Sequence, residues 1–194
     1  MAGRIRLLGR PAIFNEAGES QAVRGHQAWA VLARVVLAPR PLERRTLAAE
    51  LFAESSDPLG ALRWCLAALR KALDSADSLV GDPIELRLPP ETEVDLWHLD
   101  RDTLPIADLE PLLAGTEPQS SPEFATWLLV ERERIRAVID GRIRRETMQA
   151  LAVGDYARAI RLAETAVGRD GYDESAHILL VKALALAGRT EAAL

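Results

Sequence analysis

Ser55-Ser56-Asp57-Pro58-Leu59-Gly60-Ala61-Leu62-Arg63-Trp64-Cys65-Leu66-Ala67-Ala68-Leu69-Arg70-Lys71-Ala72-Leu73 is the stretch on which the reading of this chain turns. Asp57 offers an N-cap, and Pro58 falls at the first helical position, where its missing N–H costs nothing. A helix is therefore expected from near Pro58 to about Leu73. At about 100° per residue, Leu62, Cys65, Leu66, Leu69 and Leu73 gather on one side and are expected to pack inward. Gly60, Trp64, Ala67 and Lys71 take the opposite side, with Arg63 and Arg70 on the flanks.

Upstream, Leu42 to Phe52 predicts a shorter helix with Leu47, Leu51 and Phe52 on one face. Before it, Gly25 to Ala38 has helical spacing at Ala28, Val31, Leu32 and Val35, and Pro39 and Pro41 close the segment. Residues 4–23 read as two strands around the turn-rich Asn15 to Ser20. Downstream, Ser78-Leu79-Val80 and Ile84 to Leu88 flank Gly81-Asp82-Pro83 as a hairpin. Two strands, three helices and a hairpin, in that order, are the parts of a winged helix-turn-helix. In such a fold the third helix enters the DNA major groove and the hairpin rests against the backbone or in a minor groove.

On that fold Arg63, Arg70 and Lys71 are the candidates to read or hold DNA from the third helix. Arginine can bind guanine with two hydrogen bonds, and small or apolar side chains can meet a thymine methyl. Trp64 shares the outward face, although its indole suits packing against the preceding loop or a partner as readily as base reading. Arg44 and Arg45 open the second helix and Arg87 lies on the hairpin, each placed to meet phosphate.

Residues 89–118 hold five of the eleven prolines and read as a connection with at most short helices. Ser121-Pro122-Glu123 repeats the capping arrangement ahead of one long helix from Phe124 to Val153, with Gly141 its single interior glycine. After it Gly154, Ala159 and Ile160 recur 34 residues later as Gly188, Ala193 and Leu194. That is the period of tetratricopeptide helix pairs. Gly154-Asp155-Tyr156 is then the turn between paired helices, Ala159 and Ala166 let the helices approach, and Asp170-Gly171 closes the unit. Such a unit must stack on a neighbour. The chain stops at Leu194, about one turn into the helix that Gly188 introduces. The expectation is a truncated or excised part of something longer. The domains are therefore expected at 1–100, a winged helix of α+β class, and 121–194, an all-α tetratricopeptide-like unit, joined by a linker at 101–120.

Composition narrows the classes. A chain of 194 residues with 48% hydrophobic and 27% charged side chains folds rather than remaining disordered. One cysteine, Cys65, excludes a disulfide framework and makes the cytoplasm the expected compartment. The longest apolar run is the six residues Ala28 to Ala33, too short for a membrane span. Residues 1–90 carry a net charge of +2 and residues 91–194 one of −7, a contrast that fits a nucleic-acid contact followed by a protein contact. No enzyme or cofactor is expected. His26, His98 and His177 lack metal-ligand spacing, Cys65 faces inward, and His177 reads as a packing residue.

Leu47-Ala48-Ala49-Glu50-Leu51-Phe52, Ala61-Leu62-Arg63 and Ala68-Leu69-Arg70-Lys71-Ala72-Leu73 resemble the OmpR-type winged helix of the Streptomyces antibiotic regulatory protein family, and Val94-Asp95-Leu96-Trp97 resembles the motif that follows its wing. Ser121-Pro122-Glu123-Phe124, Trp127 to Arg134, Gly154-Asp155-Tyr156 and Tyr172-Asp173-Glu174-Ser175-Ala176-His177 are similar to the family's bacterial transcriptional activation domain. The chain departs from the pattern at Gly60, Trp64 and Ala67, where the family is more polar and basic, and at Gly171, where proline is usual.

The resemblance implies a transcription regulator that binds promoter direct repeats in double-stranded DNA, often as a homodimer. Its helical unit would contact RNA polymerase or another transcription component. The rival expectation is a sensory or scaffolding module of a larger signalling protein in which the winged helix no longer binds DNA.

Overall fold

In a computed structural model of the chain, which describes residues 3–99, 104–106, 109–116 and 121–189, the N-terminal layer is a four-stranded sheet whose strands, in spatial order, are β3 (Ser20–Gln21), β2 (Ala12–Phe14), β1 (Arg4–Arg6) and β6 (Glu93–Val94). Strands β1 (Arg4–Arg6) and β2 (Ala12–Phe14) pair antiparallel, and β3 (Ser20–Gln21) continues the meander. Alternation puts Ile5 and Ile13 into the core, and Arg4, Arg6 and Phe14 on the other face. The fourth strand, β6 (Glu93–Val94), runs parallel to β1. Sequence reading anticipated two strands here. The two extra ones are each two residues long, too short to show a period.

What brings β6 back to β1 is the Val94-Asp95-Leu96-Trp97 motif. Asp95 opens a 3-10 turn (Asp95–His98), and its carboxylate accepts from the backbone N–H groups of Leu7, Leu8 and Leu96, each at 2.8 Å. Its burial is supported by those three donors.

Three helices follow the sheet: α1 (His26–Leu37), α2 (Arg44–Leu51) and α3 (Pro58–Ala72). Leu32, Leu47, Leu62, Leu66 and Leu69 are fully or almost fully buried where they meet. Asp57 caps α3 by accepting from the Gly60 N–H at 2.8 Å, with Pro58 in the first turn. Ala72 takes the buried place expected for Leu73, which is partly exposed beyond the helix end. Strands β4 (Leu79–Val80) and β5 (Glu85–Leu86) form the hairpin. It is anchored to the segment before α2 by the Ile84 N–H donating to the Leu42 carbonyl at 2.7 Å.

Within the stretch expected to be a linker, residues 109–113 pack against the first unit. Leu109, Leu112 and Leu113 are buried, and Leu113 N–H donates to the Leu7 carbonyl at 2.8 Å.

Helix α4 (Pro122–Ala152) begins as the sequence indicated, with Ser121 accepting from the Phe124 N–H at 3.2 Å. The chain divides into compact units Met1–Ile135 and Arg136–Leu194, so α4 contributes to both. In the second unit, α5 (Tyr156–Arg169) and α6 (Glu174–Leu186) pack as a pair capped by Asp155 and Asp173, around Ala150, Ala159, Ile160, Ala183 and Leu184. The two glycines 34 residues apart close helices in the same way. Gly154 N–H donates to Leu151 and Asp155 N–H to Ala150; Gly188 N–H donates to Ala185 and Arg189 N–H to Leu184. Both glycines have positive φ, 79° and 74°, the left-handed closure that favours glycine. Ala193 and Leu194, the other matches of the repeat, lie outside the described residues. Ala166 is partly buried, and His177 is exposed rather than packed, with its ring Nε2 3.0 Å from the Gly171 carbonyl.

Candidate nucleic-acid interface

Helix α3 carries no carboxylate over its 15 residues, while Arg63, Arg70 and Lys71 give it three positive charges. Its inward stripe of Leu62, Cys65, Leu66 and Leu69 is buried, so the helix is fixed by packing on one side. Burial also pushes the Cys65 thiol up to about 11, leaving it protonated and unreactive.

The opposite side presents Arg63, Trp64, Ala67 and Lys71, all exposed. The Arg63 side chain is 70% exposed and approaches Asp57 only to 3.7 Å, a loose surface pair that a phosphate can displace. Trp64 is 55% exposed and rests one edge on Gly25, where an added Cβ would come within 3.0 Å of the ring. Gly60 starts this face and is half-buried; a side chain there would collide with the capping carboxylate of Asp57.

The remaining candidates have structural partners. Arg70 donates from Nη1 to the Leu79 carbonyl at 3.0 Å, fastening β4 to α3. Arg44 donates from Nε to the Gly81 carbonyl at 2.8 Å, and its backbone N–H donates to Asp82 at 2.9 Å, so the start of α2 holds the hairpin turn. At that turn Gly81 has φ 82°, and a Cβ would meet the Pro83 carbonyl at 2.9 Å. Arg87 lies toward the open end of the hairpin, its N–H donating to Ser78, and its guanidinium is paired with Glu85 at 2.6 Å. Arg45 is exposed and makes no ion pair among the described residues. Sequence reasoning passed over Arg40, which is exposed between Pro39 and Pro41 and lines a surface groove with Arg87 and Trp97. Its signal was the proline-bracketed turn leading into α2.

The arrangement therefore offers a convex basic-aromatic helix face with a hairpin beside it, able to make phosphate contacts and to present Arg63 to base edges. Among the described residues, no group of three His, Cys, Asp or Glu side chains is placed to hold a metal, and no helix is long and apolar enough to cross a membrane.

Residues 110–194 match the family described as bacterial transcriptional activator domain. The structure of Mycobacterium tuberculosis EmbR in complex with a low affinity phosphopeptide is similar over 98% of this chain and 56% of that chain, with a TM-score of 0.73 and 18% sequence identity. At that identity the likeness is one of fold, and this chain spans little more than half the length of that one. No curated protein matches the sequence.

Proposed function

We propose that this chain, whose residues 110–194 match the bacterial transcriptional activator domain, is a DNA-binding regulator that docks α3 into a major groove. On this reading α1 to α3 and the β4–β5 hairpin act as a winged helix-turn-helix. The single observation that carries it is the exposed, carboxylate-free face of α3 beside that hairpin. Phosphate affinity comes from Arg45, Arg63 and Lys71, and base choice from Arg63 with Trp64 and Ala67 as apolar contacts. Arg44, Arg70 and Arg87 shape the site through the partners they already hold. The helical unit supplies the contact with RNA polymerase or a companion factor, and homodimers on direct repeats place two copies side by side in the cytoplasm. Catalysis and cofactors have no part in this reading.

The test is a gel shift of the chain on the DNA upstream of its own gene at low salt, alongside an Arg63→Glu and Lys71→Glu double variant. The expected result is a shift that weakens steeply with salt and is lost in the variant. A shift indifferent to the double variant overturns the contact assignment. One specific feature favours the rival scaffolding module: Trp64 is an exposed indole of the kind that anchors protein interfaces. No shift at any salt concentration supports that alternative.

A further inference from the structure

Beside β1, β2 and β3, at the start of α1, lies a cavity of about 520 Å³ whose charged lining, among the described residues, is basic. Ligand pockets of this size, of order 300–1,000 Å³, hold small organic molecules. Arg6 and Arg10 line it, Phe14 and Trp29 supply two aromatic walls, and Thr116 and His26 add polar atoms. No carboxylate lines it among the described residues, whereas the neighbouring cavity, which shares Arg6 and Arg10, is also lined by Glu93, Asp95 and Glu110.

Two details mark this cavity as built rather than incidental. Thr116 is 4% exposed, lines the space, and its hydroxyl has no hydrogen-bond partner among the described residues. A hydroxyl without a protein partner can both donate to and accept from a ligand. Arg10 makes no ion pair among the described residues, while Arg6 donates from Nε to the Arg10 carbonyl at 3.1 Å and holds its guanidinium over the Phe14 ring, 5.7 Å from the centroid.

We propose that this cavity is a binding site for a small aromatic acid, its ring between Phe14 and Trp29 and its carboxylate or phosphate on Arg6, Arg10 and the Thr116 hydroxyl. Guanidinium groups recognise such oxyanions through paired hydrogen bonds, and aromatic walls give a planar ring its contact area. The site does not depend on the DNA-binding reading. It does adjoin it: Gly25 lines the cavity and also supports the edge of Trp64.

The four tryptophans supply the assay. In the full chain labelled with 15N, indole N–H signals assigned by single Trp→Phe variants are followed while salicylate and, separately, phenyl phosphate are added. The expected result is saturable movement of the Trp29 signal, with Trp64 responding and Trp97 and Trp127 still, at a dissociation constant below about 1 mM for at least one ligand. Which one binds tells carboxylate from phosphate. Benzyl alcohol, with a ring and no charge, should leave the spectrum unchanged. Arg10→Gln, at an exposed position outside the core, should weaken binding at least about tenfold, and Thr116→Val should also weaken it. Absence of saturation with both ligands up to about 10 mM, an equal response to benzyl alcohol, or full affinity in Arg10→Gln overturns the proposal.

Discussion

Arg34 of α1 stacks its guanidinium 4.7 Å from the centre of the Trp127 ring of α4, while Nε and Nη2 donate to the Glu50 carboxylate of α2 at 2.6 and 2.8 Å. The Ser121 hydroxyl, capping α4, also donates to the Glu50 carbonyl. The opening turns of α4 are thus part of the three-helix unit rather than an attachment to it. Arg34→Ala leaves a carboxylate that is 15% exposed without its counterion, which should cost about 3 kcal/mol in urea unfolding. A fragment of residues 1–100 should melt at lower temperature than one of residues 1–135, which keeps Trp127.

Asp95 gives a pH dependence whose sign is fixed. Burial raises its pKa above the ordinary 3.8, while hydrogen bonds from Leu8, Leu7 and Leu96 and the charge of Arg6 pull it down. The folded chain therefore holds this proton more tightly than the unfolded one. Its contribution to stability is greatest below 3.8 and declines as pH rises through the raised folded value. Asp95→Asn should abolish that slope in denaturation measured at several pH values. It should also cost about 1–3 kcal/mol at neutral pH, because the amide sets an NH2 group against a backbone donor.

Arg44→Gln and Arg70→Gln should loosen the hairpin more than they weaken DNA attraction. The amides of Ile84 and Arg87, whose bonds of 2.7 and 2.8 Å hold the hairpin, should exchange with solvent about tenfold faster. Arg45→Gln and Lys71→Gln should leave that exchange unchanged and reduce the salt dependence of DNA binding by about one unit of slope each.

In the helical unit, Glu146 accepts from Arg142 Nε at 2.9 Å and from Arg158 Nη2 at 2.8 Å, and Arg142 is only 2% exposed. Glu146→Gln removes the charge between two guanidinium groups. Chemical denaturation should register a loss of about 3–5 kcal/mol.

Cys65, with its thiol held near 11, should react with a disulfide reagent at pH 8 only as fast as the chain opens, and completely in denaturant. Rapid labelling of the native protein would contradict the buried stripe of α3.

The starts of α3 and α4 were legible in the sequence because Asp57-Pro58 and Ser121-Pro122 state a cap and a first turn within a few residues. The outward face of α3 was legible too, since helical spacing alone sorts Trp64 and Lys71 from Leu66 and Leu69. Strand β6 was not, because its partner lies nearly 90 residues away and is selected by Asp95 reaching the Leu7 and Leu8 amides. The same limit applies to Arg70, Arg44 and Arg87, whose carbonyl and carboxylate partners exist only once the hairpin is folded. His177 was misassigned to packing because period alone does not say that the exposed side of α6 meets the Gly171 carbonyl.

The contact between Gly60 and the Asp57 carboxylate restricts how this helix can drift over generations. A side chain at position 60 would have to push the Asp57 carboxylate aside and re-aim the cap, whereas positions 63, 67 and 71 meet no such neighbour and are the easier places for new preferences to arise.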